Sequence, residues 1–157
     1  KVADAPILGM VSLTKPGNIG ALLRTADAAG FNTVFLIDSR LELYNPNVIR
    51  SSTGAVFLGN IYSLSAQEAR ALFQSRGFQV VGTHLHAAKD AYSVEYQLKC
   101  ALLMGTEDVG LDDTWLPFCS DQVIIPMAGT LTDSLNVSVA GAVLMFEVMR
   151  QLRGGAG

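Results

Sequence analysis

The chain has 157 residues, half of them hydrophobic and only 16% charged, against about 25% charged in an ordinary soluble domain. Length and composition therefore give one compact unit, residues 1–157, with roughly 70% of its unfolded surface buried, and they exclude intrinsic disorder. Eleven Lys and Arg against fourteen Asp and Glu leave a net charge of -3, which excludes a uniformly basic nucleic-acid coat but not a local positive patch.

Cys100 and Cys119 are the two cysteines, and their spacing fits neither a disulfide scaffold nor a zinc module. A reducing cytoplasm is the default setting for such a chain. The longest apolar stretch, Val137 to Met149, is interrupted by Ser138 and Glu147 and falls short of the about 20 residues that span a bilayer. No basic-then-apolar export signal opens the sequence, so no membrane contact is expected. The first residue is Lys1, which leaves an N-terminal RNA-binding domain upstream as an expectation to be kept.

Short β-rich runs alternate with helical patterns from end to end, the mark of α/β architecture with a mainly parallel sheet and helices on both faces. Strands are predicted at Ile7 to Leu13, Thr33 to Ile37, Val56 to Tyr62, Phe78 to Thr83, Ala101 to Met104 and Gln122 to Ile125. A first helix should start near Asn18, repeat Ile19, Leu22, Leu23 and Ala26 on one face, and stop at Gly30. A short second helix has Asn45 as N-cap and Pro46 at its first position. The third carries a capping box, Ser65 followed by Glu68, with Ala69, Leu72 and Phe73 inward and Gly77 as terminator. The last helix is predicted from Ser134, as N-cap, to Leu152, with Val137, Val139, Ala140, Val143 and Leu144 as apolar body. Arg150 and Arg153 then lie against its negative end. Gly141 inside it costs about 1 kcal/mol of propensity, which predicts close packing against a neighbouring backbone.

Three stretches place glycines and polar residues where strands end. The first, Lys15 to Arg24, turns through Pro16-Gly17-Asn18-Ile19-Gly20 into a helix and suits an anion at free backbone amides. It has neither the Gly-x-Gly-x-x-Gly nor the Gly-Lys-Ser/Thr pattern, so dinucleotide or triphosphate binding is disfavoured. Taken alone, Asn18 reads as a plain N-cap and Arg24 as a surface arginine. The second, Leu102 to Leu111, is a buried strand running into Gly105-Thr106-Glu107-Asp108-Val109-Gly110, at the carboxyl edge where α/β sheets gather ligands. The third runs from Ile124 through Ile125-Pro126-Met127 to Ser134-Leu135-Asn136-Val137-Ser138, and Asn136 there is a poor helix former that needs a reason to be retained.

Together the three resemble the signature motifs of the SpoU/TrmH branch of the SPOUT superfamily, the RNA ribose 2′-O-methyltransferases, over most of the chain. Asn18-Ile19-Gly20 with Arg24 is similar to the first motif, and Gly105-x-Glu107-x-x-Gly110-Leu111 to the second. Ile125-Pro126-Met127 with Ser134-Leu135-Asn136-Val137-Ser138 is similar to the third. Asn45 to Arg50 followed by Ser51 to Gly54 also resembles a family segment. One departure is that four residues, not three, separate Gly129 from Ser134.

The resemblance implies a SPOUT-type fold with a C-terminal trefoil knot, S-adenosylmethionine as cofactor, ribosomal or transfer RNA as substrate, a homodimer with shared active sites, and no metal. It assigns catalysis to Arg24, Asn18, Glu107, Ser134 and Asn136, and cofactor binding to Thr83, Gly105, Ile125, Met127 and Leu135. A guanidinium gives up its proton only with difficulty and is a poor base, so Arg24 is expected to stabilise the developing oxyanion rather than deprotonate the hydroxyl. The competing reading, a catalytically silent RNA-binding module of the same fold, would have no need of that residue set. His84 and His86 lack a third metal ligand. Trp115 and Phe118 are expected in a short helix packed on the core rather than in a base-stacking platform, and Arg40, Arg50, Arg70 and Arg76 read equally well as a basic rim or as scattered solvated charge.

Overall fold

A computed structural model describes residues 2–40, 45–52, 60–84, 89–106, 110–131 and 134–155. In chain order these form β1 (Ile7–Val11), α1 (Pro16–Ala29), β2 (Thr33–Ile37), α2 (Pro46–Ser52), β3 (Asn60–Leu64), α3 (Ala66–Arg76), β4 (Gln79–Thr83), β5 (Lys89–Asp90), β6 (Cys100–Met104), β7 (Asp121–Ile124) and α4 (Val137–Gly155). The strands make one sheet in the order β3-β2-β1-β6-β4-β7-β5, and every pairing is parallel. This is the expected α/β architecture.

The central strands β1, β2 and β6 are buried at every position, because helices cover both faces of the sheet. Alternate residues along each strand feed opposite layers. Leu8, Met10, Leu36, Leu102 and Met104 join Ile19, Leu22 and Ala26 of α1, Val48 of α2 and Leu144, Met145 and Val148 of α4 in one core. Ile7, Phe35, Ile37 and Leu103 face the other way, onto Ala69 and Phe73 of α3 and the buried Trp115.

Local signals set most of the helix ends. Gly77 and Gly30 take the left-handed conformation, φ 67° and 83°, at the ends of α3 and α1. The Ser65 hydroxyl accepts from the Glu68 amide at 3.1 Å while the Glu68 carboxylate accepts from the Ser65 amide at 2.9 Å, closing the predicted capping box. The Asn45 side chain accepts from the Asn47 amide at 2.8 Å ahead of Pro46.

Several boundaries differ from the sequence reading. α1 starts at Pro16, with Lys15 in the cap position, because proline's fixed φ suits the first helical turn. β3 lies at 60–64, and residues 56–59 of the predicted strand fall outside the described residues. β5 was not predicted, since two exposed residues leave no periodic signal. α4 starts three residues after Ser134: the Asn136 side chain accepts from the Ser138 amide at 2.9 Å and from its hydroxyl at 2.6 Å, and the Asn136 carbonyl accepts from Ala140 at 2.9 Å. Asn136, not Ser134, is therefore the N-cap, which is a physical reason for an asparagine there. Val139, expected in the apolar body, is 49% exposed. Arg150 does not lie against the helix end but forks onto the buried Glu147 at 2.8 and 2.9 Å. Gly141 does pack closely, but on a side chain: a Cβ there would lie 2.4 Å from Leu22 Cδ2.

Candidate functional site at the carboxyl edge of the sheet

The chain steps outward from β1 through β2 to β3 on one side, while β6, β4, β7 and β5 lie on the other. The carboxyl ends of β1 and β6 therefore flank the switch point where open α/β sheets bind ligands. Two cavities open there. The first is a cleft with a mostly apolar lining and a few polar groups, the composition usual for small-molecule sites. Its walls are the ends of β4 and β6 (Thr83, Met104, Gly105), the segment leaving β7 (Ile125, Met127), the approach to α4 (Ser134, Leu135) and the first turns of α4 (Val137, Ala140, Leu144). All five predicted cofactor residues line it, as does Ser134.

The wall at β6 is built by close backbone approach. Thr106 and Gly110 form a bridge, Thr106 N to Gly110 O at 3.2 Å and Gly110 N to Thr106 O at 2.8 Å. A Cβ on Gly105 would lie 2.2 Å from the Gly110 carbonyl carbon, so Gly110 packs on a residue that must lack a side chain. Gly110 turns the chain with φ +68°, a conformation that favours glycine. The Thr83 hydroxyl donates to the Leu103 carbonyl at 3.1 Å, which fixes the end of β4 against the end of β6. The walls are mostly aliphatic and thioether, with polar groups at the strand ends. That combination suits a flat heteroaromatic ring with polar substituents, so the residues present fit an adenosine-bearing cofactor.

The second cavity is lined by Ser12, Leu13, Thr14, Lys15, Asn18, Thr106 and Val137. It shares Thr106 and Val137 with the first, so the cavities adjoin. Ser12, just past β1, has φ +58°, an unusual value for a residue with a side chain, and its amide donates to the Ile37 carbonyl at 2.9 Å. Asn18 thus belongs to the second cavity and Ser134 to the first.

The other predicted catalytic residues stand differently. Asn136 caps α4 beside the first cavity. Glu107 lies outside the described residues, as does His86. Arg24 is on an exposed face of α1 and lines neither cavity. Thr106, His84 and Ser12 were missed as lining residues. Position just past a strand end was the available signal, but it applies to many residues equally.

Away from the cavities, Trp115 is 1% exposed and packs on the core as expected. The Arg70 guanidinium lies over its ring at 4.5 Å and over Phe118 at 4.9 Å. Arg76 donates to the Val2 carbonyl at 2.7 Å and pairs with Asp4, so Arg70 and Arg76 are engaged within the fold and serve neither as a basic rim nor as scattered solvated charge. Among the described residues no group of three His, Cys, Asp or Glu could hold a metal ion, and no helix is long and apolar enough to cross a membrane.

Comparison with known proteins agrees with this geometry. The SpoU rRNA Methylase family matches residues 5–146. A 23S rRNA (guanosine-2′-O-)-methyltransferase RlmB from Ralstonia nicotianae is 38% identical over 147 residues, 92% of this chain and 58% of the relative. An RNA 2′-O ribose methyltransferase of known crystal structure superimposes with a TM-score of 0.89 at 41% identity, over 97% of this chain and 58% of that one. The SpoU methyltransferase AviRb from Streptomyces viridochromogenes, solved in complex with the cofactor AdoMet, has a TM-score of 0.88 at 31% identity, over 99% of this chain and 63% of that one. The chain thus spans less than two thirds of each of these relatives. With the motif order, the parallel sheet and the paired cavities in agreement, this chain belongs to the SpoU rRNA methylase family.

Proposed function

We propose that this chain is a catalytic domain that binds S-adenosylmethionine in the first cavity and directs methyl transfer to a ribose 2′-hydroxyl of RNA held in the second. The names of its relatives favour ribosomal over transfer RNA as the substrate. The observation that carries the reading is the convergence of the three motif loops on two cavities that share Thr106 and Val137. When bound, S-adenosylmethionine supplies an electrophilic methyl group on a sulfonium.

The chain's own residues supply alignment and charge. Thr83, Gly105, Ile125, Met127 and Leu135 hold the cofactor by shape and backbone groups, and Asn18 orients the ribose from the second cavity. Ser134 and Glu107 hold cofactor or sugar hydroxyls, and Asn136, besides capping α4, presents its amide to the site. Aligning both partners and exclusion of water lower the barrier without covalent help from the protein.

Arg24 stabilises the oxyanion that develops as the hydroxyl loses its proton, because a guanidinium stays charged and offers two donors in one plane. Its exposed position outside both cavities of its own chain supports a role in the site of a second copy. Val139 and Phe146, 49% and 51% exposed on one face of α4 with the half-buried Val143 between them, supply an apolar surface for the homodimer. A C-terminal trefoil knot, cytoplasmic residence and a separate RNA-binding segment elsewhere in the protein go with the same family reading.

Calorimetry with S-adenosylmethionine and transfer of labelled methyl to bulk ribosomal RNA test it. Wild type and Arg24→Ala should bind the cofactor equally, while Arg24→Ala loses transfer by about 100- to 1,000-fold, the usual effect of removing one oxyanion donor. Mixing Arg24→Ala with Asn18→Ala should restore part of the activity, because mixed dimers contain one intact site. Equal transfer by wild type and Arg24→Ala removes Arg24 from its role. Absence of cofactor binding returns the chain to a silent RNA-binding module.

A further inference from the structure

Two neighbouring stretches of this chain hold no carboxylate. The turn from Ser12 and α1 as far as Ala26, together with Asn45 and α2, carry Lys15, Arg24 and Arg50 and none of the chain's fourteen carboxylates. The two helices touch where Gly20 has no side chain: a Cβ there would lie 1.8 Å from Ser51 Oγ and 2.9 Å from the Ser52 amide nitrogen. The Ser51 hydroxyl also donates to the Pro16 carbonyl at 3.3 Å. Arg24 stands one turn beyond Gly20 on α1, Arg50 precedes Ser51 on α2, and both are exposed. Asp27, in the last turn of α1, ends this carboxylate-free ledge.

Several cations are committed within the fold, while Arg40 and Arg153 are exposed like Arg24 and Arg50. Lys89 pairs with Asp121 at 2.7 Å, Arg150 with Glu147 and Arg76 with Asp4. Lys99 donates to the Arg76 carbonyl at 2.6 Å, and Arg70 is stacked on Trp115 and Phe118. Arg50 instead donates to the neutral Asn47 side chain at 2.6 Å, which steadies the guanidinium without cancelling its charge. A chain of net charge -3 repels a polyanion on average, so phosphate must meet a surface from which carboxylates have been removed.

We propose that the α1–α2 ledge is the track for the RNA backbone, and that Arg50 is a positioning residue that holds a phosphate flanking the nucleotide in the second cavity. Lys15 lines that cavity at one end of the ledge, so a strand lying on α1 and α2 leads directly to it. The inference rests on the methyl-transfer reading for the direction of the strand, but the ledge itself is tested by binding alone.

The experiment measures the affinity of the whole chain for a fluorescently labelled, mixed-sequence single-stranded RNA oligonucleotide at several salt concentrations from about 50 to 200 mM. Arg50→Gln should lower the slope of log affinity against log salt by about 0.7, the loss of one phosphate contact on a single strand. Arg50→Lys should keep the slope, and Arg153→Gln, on the last turn of α4, should leave it unchanged. Calorimetric affinity for S-adenosylmethionine should be equal in all four proteins, which shows that each variant is folded. An unchanged slope in Arg50→Gln, or an equal loss in Arg153→Gln, overturns the ledge, as does RNA binding by wild type with no salt dependence. Failure of wild type to bind the cofactor fails the methyl-transfer reading instead, and the slopes still judge the ledge.

Discussion

Replacing Gly105 with alanine tests how the first cavity is built. The added methyl carbon would lie 2.2 Å from the Gly110 carbonyl carbon, 2.3 Å from its oxygen and 2.4 Å from the Leu111 amide nitrogen, where ordinary contacts begin at 3.4 Å. All three atoms are backbone, so no rotamer change relieves the overlap, and the returning side of the loop must shift by about 1 Å in a close-packed region. That shift breaks the two Thr106–Gly110 hydrogen bonds at 2.8 and 3.2 Å and strains the 3.4 Å bond from the Leu111 amide to the Thr83 carbonyl. Overpacking costs about 1–3 kcal/mol and each lost hydrogen bond about 1 kcal/mol, against a gain of about 0.4–1 kcal/mol from a stiffer unfolded chain. The net is a destabilisation of about 2–4 kcal/mol. In a domain of this size it lowers the thermal midpoint by roughly 10 °C, read by circular dichroism. Affinity for S-adenosylmethionine should fall in the same variant, because Gly105 and Gly110 both line the cavity. A variant with wild-type midpoint and wild-type affinity would refute the close packing of Gly105 on Gly110.

Asn136→Ala should cost about 0.5–2 kcal/mol through loss of the α4 cap, whereas Asn136→Asp keeps an accepting oxygen and the stability. Methyl transfer by Asn136→Asp then isolates what the side-chain amide does in the site, and unchanged stability in Asn136→Ala would refute the cap. Glu147, 8% exposed, accepts from Arg150 and Gln151, and the Arg150 hydrogen bonds hold its carboxyl below the ordinary carboxylate range. A depressed folded-state pKa stabilises above the unfolded value and is lost as pH falls through the folded one. Wild type should therefore exceed Glu147→Gln by about 1 kcal/mol near neutrality, with the difference shrinking on acidification below about pH 4.3; urea titrations at several pH values measure it, and a constant gap would refute it. Burial, with Asp121 as a second cause, pushes the Cys100 thiol up to about 12 and the Cys119 thiol up to about 11. Both should react slowly with a disulfide reagent in native buffer and fully in denaturant, and rapid native labelling would contradict their packing.

Local chemistry was legible in the sequence wherever the cause is itself local. The Ser65–Glu68 capping box, the terminating Gly30 and Gly77, and Pro46 behind Asn45 each need only a few neighbouring residues to act. The uninterrupted apolar runs at Ile7–Val11, Thr33–Ile37 and Cys100–Met104 likewise announced strands covered on both faces. Where two local signals compete, the sequence points to the wrong one, taking Ser134 as the cap of the last helix. Ser134 and Asn136 are both good caps, and the one that closes α4 is the one whose oxygen reaches the Ser138 amide.

The sequence by itself determined an α/β chain with three polar, glycine-bearing loops in a fixed order, because periodicity, caps and turn residues act over a few positions. Only the tertiary structure decided that β1 and β6 are neighbours, that the loops behind them meet at Thr106 and Val137, and that Arg24 stays outside both cavities. Strand order and helix rotation are set by burying two cores at once, a condition on the whole chain that no single segment encodes.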